Sequence, residues 1–220
     1  MATVDSLTAT EKTIVVVSLS LAFAYAAKIR AQPSHFRMIL KAASTALLSL
    51  LATVSGKHWQ LSTALGLGAI GDAFLAWPGE TAFLCGLGSF LTAHVFYIHL
   101  FLAIGGGYEV IVSEAWRRLL ATSMMGVAAV VGMVLVPRID GSLRWPVAAY
   151  SVISLAVVLA VLTTNEQWTV AGAVLFCLSD CVLGTDEFLV EPQSTHRAWM
   201  QHAVWALYYT GQFLIVAGID

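Results

Sequence analysis

The sequence predicts an all-α membrane protein with eight transmembrane helices. Of its 220 residues, 59% are hydrophobic and 11% are charged, and the mean hydropathy is +0.82, which excludes an ordinary soluble domain. The apolar residues form eight runs of about 17–24 residues, long enough to cross roughly 30 Å of hydrocarbon. In lipid, backbone polar groups must be satisfied within each segment, so the runs are predicted to be helices.

The ends of these helices follow from tryptophan and proline positions. Six of the seven tryptophans lie near the ends of apolar runs, where indole rings favour the headgroup zone. Pro78, Pro137 and Pro146 also lie at boundaries, as expected of residues that break or begin helices. Because no long polar linker interrupts the chain, we expect one integral membrane domain over residues 1–220. The predicted helices cover residues 13–28, 37–54, 58–77, 80–103, 116–136, 145–163, 166–184 and 195–217.

The eight helices are predicted to form two parallel four-helix repeats, at about residues 12–104 and 116–217. Sliding the chain by 108 residues places Asp72 on Asp180 and His94 on His202. Since each repeat has an even number of helices, the halves would share one orientation, related by an axis along the membrane normal. We therefore expect the third and seventh helices side by side at the centre, with both aspartates at similar depth.

Loop charges predict the orientation. Seven lysines and arginines lie at or beside the odd-numbered loops, and four lie on the other side. Cytoplasmic loops carry the excess of Lys and Arg, so the odd loops are predicted to be cytoplasmic. Both aspartates would then lie near the cytoplasmic face.

Charge and cysteine usage narrow the function classes. The formal net charge of −2, without a basic patch, argues against nucleic-acid binding. The sequence also lacks an HExxH motif or similar ligand spacing, so we expect neither metal nor cofactor. All three cysteines lie inside apolar runs and are predicted to be free thiols. They are Cys85, Cys177 and Cys181.

The candidate catalytic residues are Asp72 and Asp180. An ionisable residue at membrane depth is costly and by default indicates a functional site. Lys41, near the start of the second helix, could hold a phosphate, pair with one aspartate, or extend to the headgroups. His94 and Tyr97 share a helix face and could position water or a headgroup, or satisfy polar groups between helices. The last helix offers a comparable face with Tyr208, Tyr209 and Gln212.

Five short motifs carry a family resemblance. They are GDAFL at 71–75 with Trp77-Pro78, FLTAH at 90–94 with Tyr97, PVAAY at 146–150, LFCLSD at 175–180 and YYTGQ at 208–212. Together they resemble the YhhN-like lysoplasmalogenase family of membrane proteins over most of the chain from Lys41 onward. The resemblance adds Tyr150 to the candidate substrate-binding residues. The chain departs from the family pattern after Lys41, where a nearby proline is usual, and at His202.

The resemblance implies an eight-helix enzyme that hydrolyses the vinyl-ether bond of lysoplasmalogens. The products would be a fatty aldehyde and glycerophosphocholine or glycerophosphoethanolamine, and the expected location is the endoplasmic reticulum membrane. Vinyl-ether cleavage needs an acid to protonate the β-carbon and a negative charge near the resulting oxocarbenium ion, as in glycoside hydrolysis. Two aspartates in one apolar site can share a proton and so supply both. The sequence does not assign the two roles.

The sequence leaves two alternative functions open. Intramembrane aspartyl proteases also use two membrane aspartates, but Ala69 stands where their GxGD motif needs glycine. A transporter of a lipid-like or small polar solute would also place ionisable residues between parallel repeats. Aspartates displaced toward one face of the membrane count mildly against transport. Release of aldehyde, as opposed to flux without product, would separate the enzyme from the transporter.

Overall fold

The computed structural model describes residues 7–139 and 141–219, and in these ranges the chain is α-helical without strands. Eight long helices overlap the eight predicted ones. One short helix, too brief to be predicted from apolar runs, lies between the fourth and fifth of them. In chain order the helices are α1 (Ala9–Ala26), α2 (His35–Val54), α3 (Trp59–Leu75), α4 (Glu80–Ile104), α5 (Tyr108–Ser113), α6 (Ala115–Leu135), α7 (Arg144–Val161), α8 (Gln167–Phe188) and α9 (His196–Gly218).

Local sequence explains where the helices begin. At α1, the Thr8 hydroxyl accepts from the Glu11 backbone, and the Glu11 carboxylate accepts from the Thr8 backbone, which is a capping box. At α2, the Ser34 side chain accepts a hydrogen bond from the Arg37 backbone and caps the helix. Between α3 and α4 the chain turns at Gly79, whose φ of 111° favours glycine.

Six helices in the described ranges are long and apolar enough to cross a membrane: α1, α2, α4, α8, and α6 and α7 with their adjoining 3₁₀ turns. The chain is therefore a multi-pass membrane protein. The 17 residues of α3 span only about 26 Å at a 1.5 Å rise, and α9 begins with several polar residues. The predicted count of eight spans, like the repeat halves and the single domain over residues 1–220, stays a prediction.

Six of the long helices form a closed ring. Around it, each helix packs on the next in the order α2, α3, α4, α7, α8, α9 and back to α2. α1 covers α2 and α9 from outside, and α6 covers α7 and α8. The prediction that the two aspartate-bearing helices pack side by side is wrong, because α3 and α8 stand on opposite sides of this ring. What lies between them is a cavity.

The tightest contact in the ring is between α8 and α9. A Cβ added to Gly172 would lie 2.6 Å from the Gly211 carbonyl oxygen, and one added to Gly211 would lie 2.7 Å from that of Gly172. Only glycine allows two helix backbones to approach so closely.

The three cysteines, which were predicted to be free thiols, form no disulfide.

Candidate active site

A cavity of about 640 Å³ lies within the ring and reaches the loops before α2, α4, α7 and α9. These are the odd loops, so the cavity opens toward the face predicted to be cytoplasmic. Apolar and aromatic side chains form much of its wall, and charged side chains stand at both its floor and its mouth. Five of the nine predicted site residues line it: Lys41, Asp72, Tyr150, Asp180 and Tyr208.

Asp72 lies at the floor of the cavity and is 1% exposed. Its Oδ1 is 3.2 Å from the Lys41 ammonium. Its Oδ2 accepts hydrogen bonds of 2.8 Å from the Thr45 hydroxyl and 2.8 Å from the Tyr208 hydroxyl. An ammonium and two hydroxyl donors satisfy the oxygens of this carboxyl group, whose burial without partners would be costly.

The geometry around Asp72 follows from spacing along the helices. Lys41 and Thr45 are four residues apart on α2, so they share a face and reach the same carboxylate. Gly71 leaves room for α4, because a Cβ there would lie 2.6 Å from the Phe90 ring. Of the roles predicted for Lys41, pairing with an aspartate is the one that the structure shows.

Asp180 has a different set of partners. Its Oδ2 accepts a hydrogen bond of 2.9 Å from the Ser154 hydroxyl and lies 3.8 Å from Nε2 of His94. The Nδ1 of His94 is 2.6 Å from the Phe90 carbonyl oxygen, which can only accept, so Nδ1 carries a proton and Nε2 faces Asp180. Asp180 therefore has no lysine or arginine among these partners, in contrast to Asp72.

The two aspartates are held in parallel ways. Each accepts from a hydroxyl on the preceding ring helix, Asp72 from Thr45 on α2 and Asp180 from Ser154 on α7. Each also faces a residue from the other half of the chain. Asp72 meets Tyr208 of α9, and Asp180 meets His94 of α4.

Four predicted site residues lie outside the cavity lining. The Tyr97 hydroxyl donates a hydrogen bond of 2.5 Å to the Gln212 carbonyl, and the Tyr209 hydroxyl is 2.7 Å from the Ser18 hydroxyl. Both contacts are buried between helices. The ring of His94, behind the wall, packs against Tyr150 with ring centroids 5.0 Å apart. Substrate binding by these four residues stays a prediction.

Sequence reasoning missed Thr45 and Ser154. Hydroxyl residues are common in apolar helices, where they bond to the preceding turn, so neither stands out alone. A signal exists in the spacing, because they lie four residues after Lys41 and Tyr150 respectively.

Sequence reasoning also missed two arginines at the mouth. Arg37 donates to the Ile29 and Ala76 carbonyls, and Arg197 pairs with Asp186 at 3.3 Å.

Comparison with known proteins complements this geometry. The YhhN family model matches residues 36–219. The chain belongs to the YhhN family. This confirms the resemblance predicted from the short motifs, and the matched region of this YhhN protein contains all nine predicted site residues.

Two relatives illustrate the similarity. The YhhN chain is 33% identical over 177 residues to the lysoplasmalogenase of Mycobacterium bovis, covering 74% of this chain and 60% of the relative. It is 34% identical over 164 residues to the human lysoplasmalogenase TMEM86B, covering 73% of this chain and 64% of the relative. The chain thus spans about 60% of the length of the curated relatives it matches. No solved structure matches.

Proposed function

We propose that this YhhN protein is a lysoplasmalogenase. It would hydrolyse the vinyl-ether bond of a lysoplasmalogen, giving a fatty aldehyde and glycerophosphocholine or glycerophosphoethanolamine. One observation carries the proposal: two carboxylates with unlike partners, Asp72 and Asp180, line one cavity in a membrane domain. Relatives that bear the name lysoplasmalogenase support the choice of substrate. We place the enzyme in the endoplasmic reticulum membrane.

The lining suggests how a lysophospholipid lies in the cavity. Arg37 and Arg197 stand at the mouth, where their guanidinium groups suit a phosphate. Asp186 and Glu187 lie beside Arg197, so a zwitterionic headgroup finds both signs of charge. Aromatic side chains, among them Phe90 and Phe176, form the wall deeper in. A glycerol backbone just beneath the headgroup would bring the vinyl ether to the level of the aspartates.

The unlike partners suggest unlike roles. Asp72, with an ammonium and two hydroxyl donors around it, would act as the carboxylate that stabilises positive charge. Asp180 faces the Ser154 hydroxyl and the Nε2 of His94, with no lysine or arginine among these partners, and would serve as the proton donor. We therefore assign Asp180 as the acid and Asp72 as the charge stabiliser.

The reaction then balances with water as the only co-substrate. Asp180 donates its proton to the β-carbon, and the C=C electron pair forms the new C–H bond, leaving an oxocarbenium ion near the Asp72 carboxylate. Water adds to the carbon bearing oxygen, and its proton returns to Asp180. The hemiacetal then breaks its bond to the glycerol oxygen. That oxygen takes a proton from Asp180 while the hemiacetal hydroxyl gives one back, which releases aldehyde and alcohol.

The test is product formation by purified protein in lipid nanodiscs. Given a lysoplasmalogen, the protein should release fatty aldehyde and the glycerophospho-alcohol in equal amounts. The matched ether lipid with a saturated chain should remain intact, because it has no alkene carbon to protonate. Movement of intact lysolipid across liposomes without aldehyde would instead favour a transporter.

A further inference from the structure

A second cavity, narrow and apolar, lies next to Asp180 between α6, α7 and α8. Its volume is about 60 Å³, room for only a few water molecules at roughly 10–15 Å³ each. Apolar side chains such as Met124, Val131 and Leu155 form most of its lining. We call this cavity the α6 groove.

The α6 groove adjoins the large cavity. Phe83, Leu87 and Leu183 line both, as do Tyr150 and Asp180. Asp180 therefore stands at the junction of a polar space that reaches the mouth and an apolar space that runs under α6. Asp72 lines only the large cavity.

The two serines of the groove wall already donate hydrogen bonds. The Ser151 hydroxyl donates to the Val147 carbonyl, and the Ser154 hydroxyl donates to Asp180. With these hydroxyls bonded, the apolar side chains of the wall offer an apolar occupant dispersion contacts. Val127 also lines the groove and is exposed, which indicates an opening beside α6.

We propose that the α6 groove binds the first carbons of the substrate's alkyl chain, with the rest of the chain passing beside α6 into the bilayer. This inference rests on the proposed function and adds to it the path of the chain. It also fixes which aspartate meets the alkene, because a chain in the groove brings its β-carbon against Asp180 while the glycerol side stays in the large cavity near Asp72.

The groove would set position more than affinity. Lipid tails are as apolar as the side chains of the groove, so moving a chain from bilayer to groove gains little hydrophobic free energy. Holding the alkene against the acid, in contrast, lowers the activation free energy of proton transfer and so raises kcat. Substrates that differ only in their chains should therefore differ in kcat more than in KM.

The first test compares two substitutions by phenylalanine on α6, Ala128→Phe and Val130→Phe. Ala128 lines the groove, whereas Val130 lies outside the lining and is 57% exposed. With lysoplasmalogens of one headgroup and increasing chain length, Ala128→Phe should lower kcat by about tenfold at every length and change KM little, because all of them place their first carbons in the groove; tenfold is the scale of a small steric change in a pocket. Val130→Phe should keep the wild-type profile. Identical profiles for the two variants would overturn the proposal.

The second test needs neither catalysis nor a folded Ala128→Phe protein. A saturated ether lysolipid with a photoreactive diazirine near the first alkyl carbons is irradiated with the wild-type protein, and the labelled peptides are mapped by mass spectrometry. Labelling of residues 124–135 or 181–188, competed by unlabelled lysolipid, supports the groove even if no aldehyde is ever released. Labelling confined to α1–α3 would overturn it and leave the proposed function standing.

Discussion

Tyr208 on α9 donates a hydrogen bond of 2.8 Å to Asp72 on α3, although 136 residues separate them. The opposite aspartate has a similar relation to the first half of the chain, since Asp180 on α8 faces His94 on α4. Each carboxylate thus has neighbours from both halves of the chain: Lys41, Thr45 and Tyr208 for Asp72, and Ser154 and His94 for Asp180. This arrangement places both acids at one cavity although α3 and α8 do not pack together.

The first prediction concerns the two carboxylates. Asp72→Asn and Asp180→Asn keep size and shape but remove the acid, so each should lower the rate of aldehyde release at least about 100-fold, the lower end for acid–base catalysis. The double variant should be little worse than the poorer single one, because groups that act together are not additive. Glu109→Gln, an exposed change on α5, is the control. Near wild-type release by either folded single variant would rule out the mechanism.

The second prediction concerns the Lys41–Asp72 ion pair. Lys41→Met leaves a buried carboxylate without its cation and should lower the free energy of unfolding by about 3 kcal/mol, the low end for a broken buried pair, because the lysine side chain is 13% exposed. Adding Asp72→Asn to Lys41→Met should recover part of that loss. Thermal unfolding in detergent compares the stability of three variants: Lys41→Met, Asp72→Asn and the double variant. Strictly additive losses would mean that the pair has no coupling energy.

A third prediction compares the two hydroxyl donors. Thr45→Val leaves Asp72 with Lys41 and Tyr208, whereas Ser154→Ala removes a hydroxyl donor from a carboxyl that has no such cation. Asp180 becomes charged as it gives up its proton, and a hydrogen bond to a charged group contributes about 1.5–3 kcal/mol. Ser154→Ala should therefore lower kcat by roughly 10- to 100-fold and Thr45→Val by less. Thr53→Val, on the exposed surface of α2, serves as the control. The reverse order would exchange the roles assigned to the aspartates.

His94 and His202 form a matched pair for the fourth prediction. Both rings bond to the carbonyl four residues earlier, at 2.6 Å and 2.7 Å, but only His94 is buried against Asp180, while His202 is exposed. His94→Phe keeps the ring packing and removes Nε2, so kcat should fall by about 10- to 100-fold through misplacement of the acid. His202→Phe should have no effect. Equal kinetics for the two variants would exclude a positioning role for His94.

The fifth prediction concerns stability at the α8–α9 crossing. The added methyl of Gly211→Ala would meet the Gly172 backbone at 2.7 Å, and relief requires the helices to separate, an overpacking effect of about 1–3 kcal/mol. Gly132→Ala on α6 has nothing within 4 Å of its added methyl. It should be neutral or stabilise the helix by up to about 1 kcal/mol. The difference in melting temperature between these variants is the measurement, and similar melting would contradict the close crossing.

Sequence reasoning located the helices because hydrophobic runs and their flanking Trp and Pro residues depend on local chemistry alone. It also found both aspartates, since a carboxylate in an apolar run is conspicuous. The arrangement of helices around the ring was not accessible in this way. Aligning the first half of the sequence with the second indicates which helices correspond. That correspondence does not decide whether α3 and α8 touch or face each other across a cavity.

The partners of the aspartates could likewise be predicted only in part, because local sequence marks some of them and helix packing selects the others. Lys41 could be proposed as a partner because a lysine near the end of an apolar run is rare and must be explained. Thr45 and Ser154 have no such mark, and Tyr208 was one of several aromatic residues on its helix. Their selection depends on how the helices rotate about their own axes, which packing across the ring determines.

The hydrogen bond between Tyr208 of α9 and Asp72 can form only late in the synthesis of the chain. When Asp72 enters the bilayer, Lys41 and Thr45 have already been made, so its charge can be neutralised at once by the preceding helix. Ser154 likewise precedes Asp180. Tyr208 emerges from the ribosome long after both. A nascent chain can therefore insert each acidic helix with a hydrogen-bond donor for its carboxyl group already present, yet the candidate site remains incomplete until α9 has joined the ring.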